Sequence, residues 1–191
     1  MRCRVGSSRA APGLAALALT LTACTPALPR FEAALAANDS ATAALRQWCA
    51  ARQIADPAAI RAMPAPGEGA PPPADAATLL QVETPAALGY RHVRLSCGAA
   101  VLSEAHNWYV PARLTAPMNA ALASTDTPFG TVAAPLHFTR ERLASQHGAG
   151  AGCPAGTILT HRALLRLPDG APLALVVECY TRANLQRRSA A

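Results

Sequence analysis

Apolar positions Leu28, Phe31, Leu35, Leu45 and Trp48 recur at a loosely helical spacing between residues 28 and 51, one stripe of a 3.6-residue period. Asn38-Asp39-Ser40 breaks the run, so the pattern predicts two short helices with Asp39 or Ser40 capping the second. From Tyr90 onward the period changes to two. YRHVRLSC (90–97) reads as a strand, GAA as a turn and VLSEAHNWYVP (101–111) as the partner strand of a hairpin. In LTAPMNAALAS (114–124), Thr115 as cap and Pro117 in the first turn predict a short helix that ends at TDTPFG. A further strand is predicted over Val132 to Phe138, and a second hairpin over Ile158 to Leu167 and APLALVVECYT (171–181), turning at Pro168-Asp169-Gly170. The stretch MPAPGEGAPPPADA (63–76) is too rich in proline and glycine for a regular element, and is expected to be a surface loop or flexible linker. Sequential strands with tight turns, and helices clustered near the N-terminus, predict an α+β domain built on an antiparallel sheet.

Ahead of this pattern, residues 1–9 carry Arg2, Arg4 and Arg9 and no acid, followed by a short apolar run over residues 11–22 and then Leu21-Thr22-Ala23-Cys24. The run is shorter than the roughly 20 residues that span a bilayer, so it reads as a secretory signal. Its last four residues resemble the lipobox of bacterial lipoproteins, in which the cysteine is acylated and becomes the new N-terminus. The resemblance implies a diacyl anchor on Cys24. With Thr25 next and no aspartate there, it also implies the outer membrane of the cell envelope, the protein facing the periplasm. The expected organisation is a signal peptide at 1–23, a lipid-anchored tether at 24–30, one domain at 31–186 with the Pro/Ala-rich loop at 63–76, and a solvated tail at 187–191 containing Arg187 and Arg188. Loss of the signal leaves 168 residues, enough for one core, and lowers the formal charge from +6 to +3 because three arginines leave with it. The chain has no lysine, and its arginines are scattered without interleaved aromatics, so a nucleic-acid partner is not expected.

Of the six cysteines, Cys3 leaves with the signal and Cys24 takes lipid; Cys49, Cys97, Cys153 and Cys179 remain. An even number in an oxidising compartment predicts two disulfides. Three connectivities are open. The position of Cys97 and Cys179 in predicted strands favours joining those two and leaving Cys49 with Cys153. There is no C-x-x-C and no histidine pair at metal-ligand spacing, so no metal is expected. His92, His106, His137, His147 and His161 are scattered and have no nucleophile pattern beside them, which argues against a hydrolase triad. AGAGC (149–153) lacks the Lys-Ser/Thr and following helix of a phosphate-binding loop. Trp48 and Trp108 read as core or rim residues, and Asp126 as a turn residue.

The order of motifs resembles the chorismate lyase family. Arg91, Val93 and Leu95 match its arginine, β-branched and leucine spacing; NWYVP matches a second strand ending in proline, and TPFG its threonine-proline-apolar-glycine turn. HRALLRLPDGAPLALVVE (161–178) matches its arginine-rich strand, turn and glutamate-bearing strand, and NDSATAAL (38–45) is similar to its Ser-Leu-Thr helix start. The resemblance implies about six antiparallel strands flanked by helices, with a ligand enclosed beneath helical flaps. It places the carboxylate-binding role on Arg91, with Arg94 as the alternative, and the catalytic role on Glu178. Main-chain contacts fall on Phe129 and Ala41. A second arginine of the pattern is replaced here by Asn107.

The resemblance implies elimination of pyruvate from chorismate to give 4-hydroxybenzoate, with no cofactor. A dianionic substrate in an enclosed pocket needs a fixed cation, and a guanidinium receives a carboxylate in bidentate fashion. Glu178, in the apolar run LALVVECY, is expected to have its pKa raised by burial and to need a partner, Arg91 or Arg94 if the pair is structural. The alternative is a non-catalytic envelope lipoprotein that binds a small aromatic carboxylate on the same fold. Chorismate is a cytosolic compound, whereas Cys24 addresses the chain to the envelope, and a repurposed pocket would reconcile the two.

Overall fold

Two short helices form where the apolar spacing predicts them. In the computed structural model, which describes residues 26–66 and 69–186, α1 spans Ala27–Ala36 and α2 spans Ala41–Arg52. Ser40 caps α2, its hydroxyl accepting from the Ala43 N–H at 3.3 Å. The two helices bury Phe31, Leu35, Ala44, Leu45, Trp48 and Cys49. Because α1 begins at Ala27, part of the segment 24–30 expected to be a tether is helical. The expectations for the signal at 1–23, for Cys24 and for the tail at 187–191 lie outside the described residues.

The chain continues through β1 (Ile60–Pro64), α3 (Ala76–Leu80), β2 (Gly89–Cys97), β3 (Ala100–Tyr109), α4 (Ala116–Ser124), α5 (Phe129–Val132), β4 (Thr139–His147), β5 (Leu159–Arg166) and β6 (Pro172–Tyr180). The strands form one antiparallel sheet in the order β1-β2-β3-β6-β5-β4. This is the expected α+β architecture of six strands flanked by helices. Side chains alternate between the faces. The front face, carrying Val93, Leu95, Ala105, Ala163, Val176 and Tyr180, packs beneath α1, α2, α4 and α5. The back face, carrying Trp108, Leu164, Leu175, Val177 and Cys179, packs against α3. Every residue of β6 is buried, as its central place between β3 and β5 requires.

Three expectations are corrected. The first strand, β1, takes Met63 and Pro64 from the stretch read as loop; α3 begins at its far end, Ala76. Only Ala62 of β1 is buried, so this edge strand shows no alternation in the sequence, and its terminal proline is tolerated at an edge. The strand expected over Val132 to Phe138 is instead the end of α5 and a 3-10 turn at Ala134–Leu136, with His137 left-handed at φ 52°. Pro128 and Pro135 start these two turns, and the extended chain begins only at Thr139.

The disulfides join Cys49 to Cys97 and Cys153 to Cys179, with Cα separations of 6.4 and 5.4 Å. The favoured pairing of Cys97 with Cys179 is overturned by the sheet itself. Strand β3 lies between β2 and β6, which separates them by about 10 Å, beyond the roughly 7 Å that a disulfide bridges. Cys97 also faces front, under Cys49 of α2, whereas Cys179 faces back.

Peptide mapping without reductant is expected to recover these two linkages. The loops they close span 48 and 26 residues, so chain entropy alone predicts losses of about 4 kcal/mol for C49A/C97A and about 3.5 kcal/mol for C153A/C179A, measured by urea unfolding.

Candidate functional site

Glu178 of β6 faces front, opposite Ala105 on β3 and His161 on β5. A carboxylate buried there needs a partner, and the partner is Arg140 of β4, not Arg91 or Arg94. The Arg140 side chain crosses β5, whose front positions run from Leu165 through the small Ala163 to His161. Its Nη1 donates to Glu178 Oε1 at 3.0 Å, and its Nη2 donates to Oε2 in a second bond. The Tyr180 hydroxyl donates to the same Oε2 at 2.8 Å. The two charged side chains are 8% and 7% exposed, so this is a buried fork-on-fork pair.

The neighbours' protonation follows from this pair. Burial acts to lower the Arg140 guanidinium, but Glu178, Tyr180 and Asp39 together outweigh it and the net shift is upward. Burial, and then Glu178, raise the Tyr180 phenol well above its ordinary value, which keeps it a donor. Burial lowers His161 to about 4; the opposing pull of Glu178 is countered by Arg140 and Arg142. Its Nε2 is buried and has no hydrogen-bond partner among the described residues, and its ring meets Tyr180 edge-on at 5.4 Å.

Beside the pair lies a small cavity of about 30 Å³, lined by residues that include Ala41, Asn107, Phe129, Phe138, Arg140 and Glu178. That is room for bound water. An open groove of about 450 Å³, with Arg46 and Arg61 on its walls, adjoins it and shares Ser40, Thr42 and Gly130. Gly130 packs α5 against the start of α2 so closely that a Cβ there would stand 2.5 Å from Ser40 Oγ. Both residues line the cavity and the groove alike.

Four residues named from the sequence, Ala41, Asn107, Phe129 and Glu178, thus line one cavity. Arg91 does not line it; it donates to the carbonyls of Thr127 at 3.0 Å and Thr125 at 3.2 Å and fixes the turn before α5. Burial lowers its guanidinium from the ordinary value, with Tyr109 opposing. Arg94 lies on the opposite face, its Nε bonded to Glu104 Oε2 at 3.1 Å. Arg140, Tyr180 and His161 were not foreseen as site residues. Tyr180 and His161 follow from the alternation of two strands that were read correctly, but Arg140 sits on a polar edge strand that apolar periodicity does not reveal.

On the back face, His92, Glu104 and His106 come together with donor atoms within 4.8 Å of one another. No sequence spacing announces this group, because register joins it: His92 on β2 pairs with His106 on β3, and Glu104 precedes His106 by two. Burial acts to raise the Glu104 carboxyl, but hydrogen bonds from His92 and Arg94 outweigh it and leave the group below its ordinary value.

The architecture is shared with the effector domain of PhnF from Mycobacterium smegmatis: TM-score 0.52, 11% identity, 80% of this chain and 94% of that one. Less similar overlays are found with a transcriptional regulator of the GntR family from Enterococcus faecalis (TM-score 0.46, 11% identity, 70% and 100% of the two chains) and with the possible transcriptional regulator YydK from Bacillus subtilis (TM-score 0.46, 14% identity, 69% of this chain). This chain spans 62% of YydK. The likeness to the PhnF effector domain is one of fold: an antiparallel sheet flanked by helices. No family model matches the chain. The chain belongs to the family of the uncharacterized protein y4mC of Sinorhizobium fredii, with 40% identity over 173 residues that cover 81% of this chain and 73% of y4mC.

Removing one partner of the buried pair leaves a bare charge. Arg140→Met or Glu178→Leu alone is expected to cost about 3–5 kcal/mol in urea unfolding, and the double substitution less than either.

His161 stays neutral in the folded chain down to about pH 4, while its ordinary value is 6.5. The unfolded state therefore binds more protons between those values, so stability falls as pH drops through that window and remains lost below it. Unfolding free energies at intervals across the window should show a shallower fall for His161→Gln than for the wild type.

Proposed function

We propose that this chain is a ligand-binding protein on a lyase-like fold, taking a small aromatic carboxylate of the 4-hydroxybenzoate class at the front site, and that it does not turn over chorismate. The saturation of Glu178 carries this reading. Both of its oxygens already accept hydrogen bonds, from a guanidinium and a phenol, so the group offers no proton to a leaving oxygen. Asn107, where the lyase pattern has a second arginine, points the same way.

Binding uses the same parts differently. The ligand carboxylate takes a share of Arg140, the ring lies against Phe129 and Phe138, and Asn107 meets the polar edge. A ring does not fit in about 30 Å³, so α5 moves off Ser40 at Gly130 and the cavity opens into the groove. Likeness to an effector domain supports a binding role by fold analogy. The address read in the sequence completes the proposal: a lipid on Cys24 holds the domain in the cell envelope, at the outer membrane facing the periplasm. Two disulfides in one small domain support an oxidising compartment.

The test is calorimetric titration of the purified protein with 4-hydroxybenzoate, alongside incubation with chorismate. Saturable binding that weakens at least about tenfold in both Phe129→Ala and Arg140→Met, with no 4-hydroxybenzoate released from chorismate, is the expected result. Turnover abolished by Glu178→Gln would sink the reading and establish a lyase. In cells, incorporation of labelled palmitate should disappear in Cys24→Ser.

A further inference from the structure

We propose that the back face of the sheet carries a divalent transition-metal site in which His92, Glu104 and His106 are the protein ligands. The site is independent of the front cavity, because the three side chains leave the sheet on the opposite side from Glu178. They bring two imidazoles and one carboxylate, a donor set suited to zinc.

The donor atoms are gathered, and rotation of the side chains turns them onto an ion. His92 Nε2 and Glu104 Oε1 are hydrogen-bonded at 2.9 Å, and opening that contact to about 3.3–3.6 Å gives the separation of two ligands on a tetrahedral ion with bonds of about 2.0–2.2 Å. The His92 and His106 rings are stacked, 13° apart with centroids at 4.2 Å, so their in-plane lone pairs run side by side and ion binding requires the rings to turn out of the stack. All three donors lie within 4.8 Å of one another, near enough for side-chain rotation to bring them onto one ion. The His92 and Glu104 side chains are 12% and 14% exposed, which leaves a path for the ion and for water to complete its shell.

The surroundings supply what orients such ligands. The carbonyl of Gly152 lies 3.1 Å from His106 Nε2 and can only accept, so the proton sits on Nε2 and the lone pair on Nδ1. A ligating histidine that donates its other N–H to a backbone carbonyl is the usual outer-shell arrangement. The Tyr90 hydroxyl, 2.8 Å from Nδ1, holds that lone pair in the present structure and yields it to the ion. Arg94 bonds the carboxylate's other oxygen, Oε2, at 3.1 Å, leaving Oε1 for the metal. Its positive charge weakens cation binding.

Zinc added to the chelator-stripped protein, followed by calorimetry, should bind at one equivalent. His92→Ala and His106→Ala should each weaken that event by roughly 100-fold or more, beyond the loss usual for an outer-shell partner. Arg94→Met should tighten it, an effect that a merely structural cluster does not produce. In the wild-type protein, long-range nitrogen–carbon NMR correlations of the histidine rings should move for His92 and His106 on zinc addition, a readout that does not depend on any variant folding. Failure to bind zinc, binding that survives the double substitution H92A/H106A, or ring shifts confined to other histidines such as His147 would overturn the site.

Discussion

A carboxylate buried among leucines and valines must be paired, and the way Glu178 is paired organises the front of the molecule. Its partner comes from β4, a strand whose residues are mostly exposed and which brings little apolar surface to hold it in place. The guanidinium of Arg140 pins that strand across β5 to the centre of the sheet. The backbone N–H of the same residue donates to Asp39 Oδ1, which ties in the link between α1 and α2. Tyr180, the third member, receives the edge-on ring of Phe31 at 5.2 Å, so α1 rests on the network as well. The small cavity is the space left where these parts meet α5.

Each disulfide secures one face. Cys49–Cys97 fastens α2 to the front of β2. Cys153–Cys179 fastens the loop between β4 and β5 to the back of β6, and the neighbouring residue of that loop, Gly152, supplies the carbonyl that orients His106. The two faces of one sheet are thereby built as separate environments: a charge pair under helices in front, and a stack of His92, His106 and Trp108 behind.

Much of the fold was legible because burial writes itself into periodicity. β2, β3, β5 and β6 alternate or run apolar, and Thr115 and Ser40 cap the helices they were read to cap. What escaped was whatever lies at the edges. β1 buries a single residue and β4 has mostly exposed residues, so neither leaves an apolar signature, and Arg140 was hidden with β4. Of the residues that the resemblance names, Ala41, Asn107, Phe129 and Glu178 gather at one cavity, whereas Arg91 holds a turn and Arg94 lies on the far side. The disulfide pairing and the histidine cluster depend on strand order and register, which spacing along the chain does not encode.

The same two edges have a consequence for how molecules meet. An unpaired strand edge is a template for another strand. Here one edge is five residues long and ends in Pro64, and the other presents Arg140, Glu141 and Arg142 in succession with a register irregularity just after them. Short, prolyl, charged and kinked borders resist templating, so neither edge invites a strand from another copy.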